Sequence, residues 1–180
     1  DSEYAAIIET IRDELKKVEL FVTINDTVTP LPTGLDYEDF IAGGAATAPD
    51  MLAIIDEDTP ITINYTSGTT GKPKGVMCSH RSTCLHALGE IIETSLTSDA
   101  VYLWTLPIFH CNGWGFVWAV TAVGGTHVCL RHCETGKIFR LIERERVSHL
   151  CAAPNVLLAM VCDPQSVQVK LRRPLQVLTA

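Results

Sequence analysis

Tyr65-Thr66-Ser67-Gly68-Thr69-Thr70-Gly71-Lys72-Pro73-Lys74-Gly75 is the stretch on which the reading of this 180-residue chain turns. Its three glycines free the backbone to take positive φ and to approach a bulky ligand closely. Successive N–H groups in such a turn form a concavity that binds anions. The hydroxyls of Thr66, Ser67, Thr69 and Thr70 add donors suited to phosphate or to a hydrated metal, and Lys74 adds a positive charge whose approach Pro73 stiffens. The run is not a Walker loop. Counted from Gly68, the positions that would read Gly-Lys-Ser/Thr read Pro73-Lys74-Gly75, and Val76-Met77-Cys78 then looks strand-like where a Walker loop opens into a helix. Composition alone also fits a flexible linker between two strands, so the order of the residues has to decide.

Working outward, residues 61–65 and 76–78 read as strands flanking the glycine-rich run. Ser79 or Ser82 can cap a helix whose Leu85, Leu88, Ile92 and Leu96 share one face. Strands follow at 101–106, 126–130, 149–153 and 175–180. Between them lie helices at 114–123, around Ile138, Leu141 and Ile142, and at 154–161, the last with Pro at its first turn. Upstream, 5–18 has the period of a helix with one buried face, 18–24 reads as a short strand, and 25–60 is connecting or surface structure with a short helix near 36–42. Such alternation predicts an α/β fold, a mostly parallel sheet covered by helices. Ligands of these sheets bind outside the carboxyl ends of strands, and the glycine-rich run follows one such end.

The order of residues 65–75 resembles, position for position, the signature Tyr-Thr-Ser-Gly-Thr-Thr-Gly-x-Pro-Lys-Gly of the adenylate-forming (AMP-binding) superfamily. A second segment, Leu106-Pro107-Ile108-Phe109-His110-Cys111-Asn112-Gly113-Trp114, is similar to that superfamily's Leu-Pro-x-Phe-His signature and, over residues 109–114, to plant-type acyl-activating enzymes for short- or medium-chain or benzoate-like acids. The resemblance implies an acid–CoA ligase: a carboxylic acid and Mg-ATP give acyl-AMP and pyrophosphate, and CoA then takes the acyl group. It implies that Thr66, Ser67, Gly68, Thr69, Thr70, Gly71 and Lys74 hold the phosphates, with Thr66 also beside Mg2+. His110 would line the place where carboxylate meets ATP, with Asn112, Gly113 and Trp114 in the acyl pocket; Lys74 and His110 are the catalytic candidates. Trp118 reads as core, and His80, His86 and His132 as surface or packing residues. Adenylating enzymes with another acceptor, such as a carrier-protein thiol or the oxygen of luciferases, and a non-catalytic remnant are the competing readings.

The resemblance is firm from about residue 50 and looser before it. The chain therefore reads as a fragment of the AMP-binding N-terminal domain, with 61–180 its motif-bearing core, 1–60 less defined and the C-terminal domain outside it. It has no initiator Met and stops within a strand-like run.

Composition agrees with an ordinary globular domain, 47% apolar and 19% charged. The net charge of −7 is uneven: residues 1–58 hold 14 Asp/Glu against 3 Lys/Arg, and 59–180 hold 7 against 11. The motif-bearing part is thus mildly basic, which suits a small anionic ligand and lacks the dense basic stripe of a nucleic-acid binder. No apolar run is long enough to span a bilayer, and no secretory leader is expected. Seven cysteines without C-x-x-C spacing, with Cys129 and Cys151 inside apolar strands, point to a reducing compartment, cytoplasmic or peroxisomal. Cys129 and Cys133, beside His127 and His132, have no second pair downstream to complete a zinc site.

Overall fold

A chain that alternates strands and helices must choose which strands pair side by side and which merely fold back. The computed structural model describes residues 4–25, 34–47, 56–66 and 71–179, in two units, Asp1–Ala53 and Ile54–Ala180. In the first unit, α1 (Ala5–Ile11) runs into a 3-10 turn at Arg12–Glu14. β1 (Val22–Thr23) pairs in parallel with β2 (Leu35–Asp36). α2 (Tyr37–Ala42) starts at the Asp36 carboxylate, which accepts the N–H of Glu38 at 2.8 Å. The helix expected over 5–18 ends early because Leu15 leaves helical space (φ −83°, ψ 47°), and its apolar positions Ile7, Ile11 and Val18 are exposed instead of buried.

Among the described residues the second unit holds six strands in two sheets. β3 (Pro60–Tyr65) and β4 (Gly75–Ser79) form an antiparallel hairpin of their own, with Tyr65 opposite Gly75. Residues 66–74 are too few for the crossover that a parallel pairing needs. The expected parallel sheet is built from β5 (Val101–Trp104), β6 (Thr126–Cys129), β7 (His149–Cys151) and β8 (Gln176–Leu178), in the order β6-β5-β7-β8.

Side chains alternate along these strands, so each face of the sheet builds its own core. Tyr102, Trp104 and Cys151 pack with Ala87 of α3 (His80–Glu93) and with Phe116, Ala119 and Val120, a group that also takes in Trp114. The Trp114 segment, α4 (Cys111–Trp114), precedes α5 (Phe116–Ala122), which carries the three apolar residues just named. Leu103 and Leu150 face the other way, onto Ile138, Phe139 and Ile142 of α6 (Thr135–Glu145) and Met160 of α7 (Pro154–Cys162). Burial pushes the Cys151 thiol up to about 11 and the Tyr102 hydroxyl well above its ordinary value, so both stay neutral in the core. Cys129, expected to be buried like Cys151, is exposed on edge strand β6.

α3 starts as the sequence predicts and packs differently. Ser79 caps it: its Oγ accepts the Ser82 N–H at 3.2 Å, while its own N–H donates to Ser82 Oγ at 2.9 Å. Of the expected core face, Leu85, Leu88 and Ile92 are exposed and only Leu96, just past the helix end, is buried, while Ala87 and Ile91 turn inward. The small Ala87 lets α3 approach α5 closely. Replacing Ser79 by Ala is expected to cost about 0.5–2 kcal/mol, with Asp at that position recovering most of it; chemical denaturation of the full-length protein checks both.

Candidate functional site

The hairpin β3–β4 delivers the glycine-rich run, and its neck is closed by one residue pair. Thr66 donates its N–H to the Lys74 carbonyl at 2.9 Å, and the Lys74 N–H donates to Thr66 Oγ1 at 3.1 Å. A threonine here therefore serves the loop's own geometry as well as any ligand. Ser67, Gly68, Thr69 and Thr70 lie outside the described residues. Gly71 has no described neighbour within 4 Å of where a Cβ would sit. Lys74 is exposed beside the neck, and among the described residues only its backbone is engaged.

The second segment leaves β5 and enters a left-handed turn. Cys111, Asn112, Gly113, Trp114 and Gly115 all have positive φ, between 45° and 80°. Glycine tolerates this and asparagine does so better than most, but Cys and Trp in that region cost about 1–3 kcal/mol each. The helix expected over 114–123 thus begins only at Phe116, after the turn. The Gly113 N–H donates to the His110 carbonyl at 2.9 Å, and the His110 N–H to the Pro107 carbonyl at 3.1 Å, so the backbone on both sides of His110 is tied down.

Loop neck and turn meet. A cleft of about 560 Å³ is lined by Asn64, Tyr65 and Thr66 from the first segment and by Phe109, His110, Cys111 and Asn112 from the second. The Asn112 Oδ1 is buried with no hydrogen-bond partner among the described residues. Two of the sequence's pocket candidates are elsewhere. Gly113 is buried against the Trp104 ring, and Trp114 packs onto the core. In their place the cleft takes Trp118, expected as core, and His86, expected as a surface or packing residue. His86 reaches it from α3 because Gly115 leaves room: a Cβ on Gly115 would sit 2.9 Å from the imidazole Cε1. The ring is also held at 3.2 Å from the Glu90 carboxylate. Thr83, His86 and Glu90 form a polar stripe at helical spacing, the signal that would have found this wall.

Behind the turn, a second histidine is locked in place. Trp104 Nε1–H donates to His127 Nδ1 at 3.0 Å, and His127 Nε2 lies 3.0 Å from Thr121 Oγ1, whose own proton goes to the Val117 carbonyl at 2.6 Å. Burial holds His127 below its ordinary pKa, in the neutral form this chain of bonds requires.

A hard cation would find few ligands here. The cleft lining contains no carboxylate among the described residues, only the Thr66 hydroxyl and neutral oxygens. A magnesium ion carried in by a nucleotide's phosphates would take most of its coordination from them and would meet the Thr66 hydroxyl among the groups that line the cleft. Among the described residues no helix is long and apolar enough to cross a membrane.

Comparison with known proteins bears directly on this site. Residues 1–179 match the AMP-binding enzyme family. The chain is 51% identical over 126 residues to the peroxisomal benzoate–CoA ligase of Arabidopsis thaliana, covering 68% of this chain and 22% of the ligase. It is 42% identical over 166 residues to the peroxisomal butyrate–CoA ligase of the same plant, covering 91% of this chain and 29% of that one. The solved structure of o-succinylbenzoate CoA synthetase from Bacillus subtilis, in complex with ATP and magnesium ion, matches with a TM-score of 0.64 at 26% identity, over 78% of this chain and 29% of that one. The chain spans about a quarter of the length of the curated relatives it matches. Its strand–loop–strand hairpin, the parallel sheet beside it and a match running from residue 1 to 179 lead to one assignment: the chain belongs to the AMP-binding enzyme family.

Proposed function

We propose that the full-length protein carrying this chain is an AMP-forming acid–CoA ligase, and that the chain supplies the grip on the ATP phosphates and part of the acyl pocket. The observation that carries the reading is the shared cleft, in which Thr66 at the neck of the glycine-rich run and His110 at the start of the left-handed turn line one space. A carboxylate oxygen attacks the α-phosphorus of ATP, and pyrophosphate leaves. The CoA thiolate then attacks the acyl carbonyl, and AMP leaves. Neither half-reaction needs a protein nucleophile; both need oriented reactants and neutralised charge.

In this reading Thr66, the loop 67–71 and Lys74 take the β- and γ-phosphates, and bound magnesium neutralises phosphate charge. His110 and Asn112 face the carboxyl end of the acid, and Phe109, Trp118 and His86 wall its apolar part. The named relatives act on butyrate and benzoate, which supports a short-chain or benzoate-like acid here and makes the peroxisome a reasonable compartment for the full-length protein. The test is ATP–pyrophosphate exchange by that protein across short, medium and aromatic acids, followed by addition of CoA. Acid-dependent exchange with thioester formation is expected. Absence of exchange with every acid, or transfer only to a carrier protein, overturns the proposal.

A further inference from the structure

The seat of the left-handed turn is a single ring. In Trp104 the benzo edge (Cζ3 and Cη2) lies so close to Gly113 that a Cβ there would be 2.4 Å and 2.8 Å away. The opposite side of the indole carries Nε1, which donates to His127 Nδ1 at 3.0 Å, the two rings nearly parallel at 10°. His127 stands opposite Tyr102 in the β5–β6 register and so reaches Trp104 diagonally, two residues further along the neighbouring strand. Thr121 fixes its tautomer. With the Thr121 proton committed to the Val117 carbonyl, Oγ1 has only lone pairs to offer Nε2, so Nε2 carries the hydrogen and Nδ1 is left to accept.

We infer that His127 is a positioning residue for the acid-binding end of the cleft: through Trp104 it sets the height of the turn, and hence the placement of His110 and Asn112, without touching any substrate. The inference rests on the ligase reading above. It separates the two ends of the cleft, because the hydrogen-bond chain runs from β5 through β6 to α5 and does not include the hairpin that holds Thr66 and Lys74. Loss of the acceptor lets the indole rotate, and the Gly113 backbone above it moves with the ring. Burial favours the neutral imidazole that the arrangement needs.

The experiment is steady-state kinetics of the full-length enzyme with His127→Phe and His127→Asn. His127→Phe, which keeps a ring and removes the acceptor, is expected to raise the KM for the acid about tenfold, the upper range for one lost buried hydrogen bond, while the KM for ATP stays within about twofold. His127→Asn puts an oxygen where Nδ1 stood and is expected to restore most of the acid KM. Equal shifts in both KM values, an unchanged acid KM in a folded His127→Phe protein, or no rescue by Asn overturns the inference. If His127→Phe melts below the assay temperature, Thr121→Val decides in its place, because it removes the oxygen that fixes the accepting tautomer of His127 and leaves the indole whole: an acid-selective rise supports the inference and an unchanged acid KM overturns it. A wild-type enzyme that exchanges pyrophosphate with no acid would instead sink the ligase reading itself, a distinguishable result.

Discussion

Lys74→Ala in the full-length protein is expected to slow ATP–pyrophosphate exchange by about 10²–10³, the loss typical of one electrostatic donor aimed at developing charge in a water-poor site. Pyrophosphate leaves carrying the charge that the β- and γ-phosphates shared with the rest of ATP, so a cation beside them is worth more in the transition state than in the ground state. The geometry makes the substitution unusually clean. Lys74 closes the loop neck with its backbone alone, accepting from the Thr66 N–H at 2.9 Å and donating to Thr66 Oγ1 at 3.1 Å. Alanine keeps both bonds and removes the ammonium with its aliphatic stem. Arginine at the same position keeps the charge in a different shape and should recover part of the rate. An exchange rate in Lys74→Ala equal to wild type would place the phosphates elsewhere.

The sequence carried the anchor points of this architecture more faithfully than its packing. Capping residues act locally, so Ser79, one of the two caps the sequence offers, starts α3, and Asp36 starts α2 within the short helix expected near 36–42. Residues 101–106 likewise read as a strand, and the continuous apolar run Val101-Tyr102-Leu103-Trp104 is buried on both faces. Packing choices depend on partners far along the chain. α3 offers two apolar stripes, and the bulkier one, Leu85, Leu88 and Ile92, lost to the one whose small Ala87 accepts the close approach of α5. The hairpin was readable from the shortness of 66–74, yet strand–helix alternation drew β3 and β4 into the parallel sheet.

At the site the pattern was similar. Residues 109–112 of the second segment line the cleft, whereas Gly113 and Trp114, which the resemblance implies for the acyl pocket, do not. Five successive positive φ values redirect the chain: they turn Trp114 into the core and carry Trp118 round to the cleft. Asn112, Gly113 and Gly115 together were the available warning, since these residue types bear left-handed backbone at least cost.

Gly113→Ala is expected to destabilise the protein and weaken acid use together, and Gly124→Ala is its control. Both glycines have positive φ, 57° and 71°, so both alanines bear the backbone cost of about 1–3 kcal/mol. They differ in surroundings. A Cβ at Gly124 meets nothing within 4 Å, whereas one at Gly113 falls 2.4 Å from Trp104 Cζ3. The indole has little freedom to yield, because His127 holds its N–H and Tyr102 packs edge-on at 4.8 Å. Overpacking of this kind adds about 1–3 kcal/mol, which is the difference in unfolding free energy expected between the two variants. Whatever strain the core does not absorb must lift the turn, moving His110 and Asn112 at the cleft while leaving the Thr66–Lys74 neck in place. Acid-dependent exchange should therefore fall in Gly113→Ala at saturating ATP and not in Gly124→Ala. Equal melting behaviour in the two would mean that the ring moves aside freely, and the turn would then owe its position to something other than Trp104.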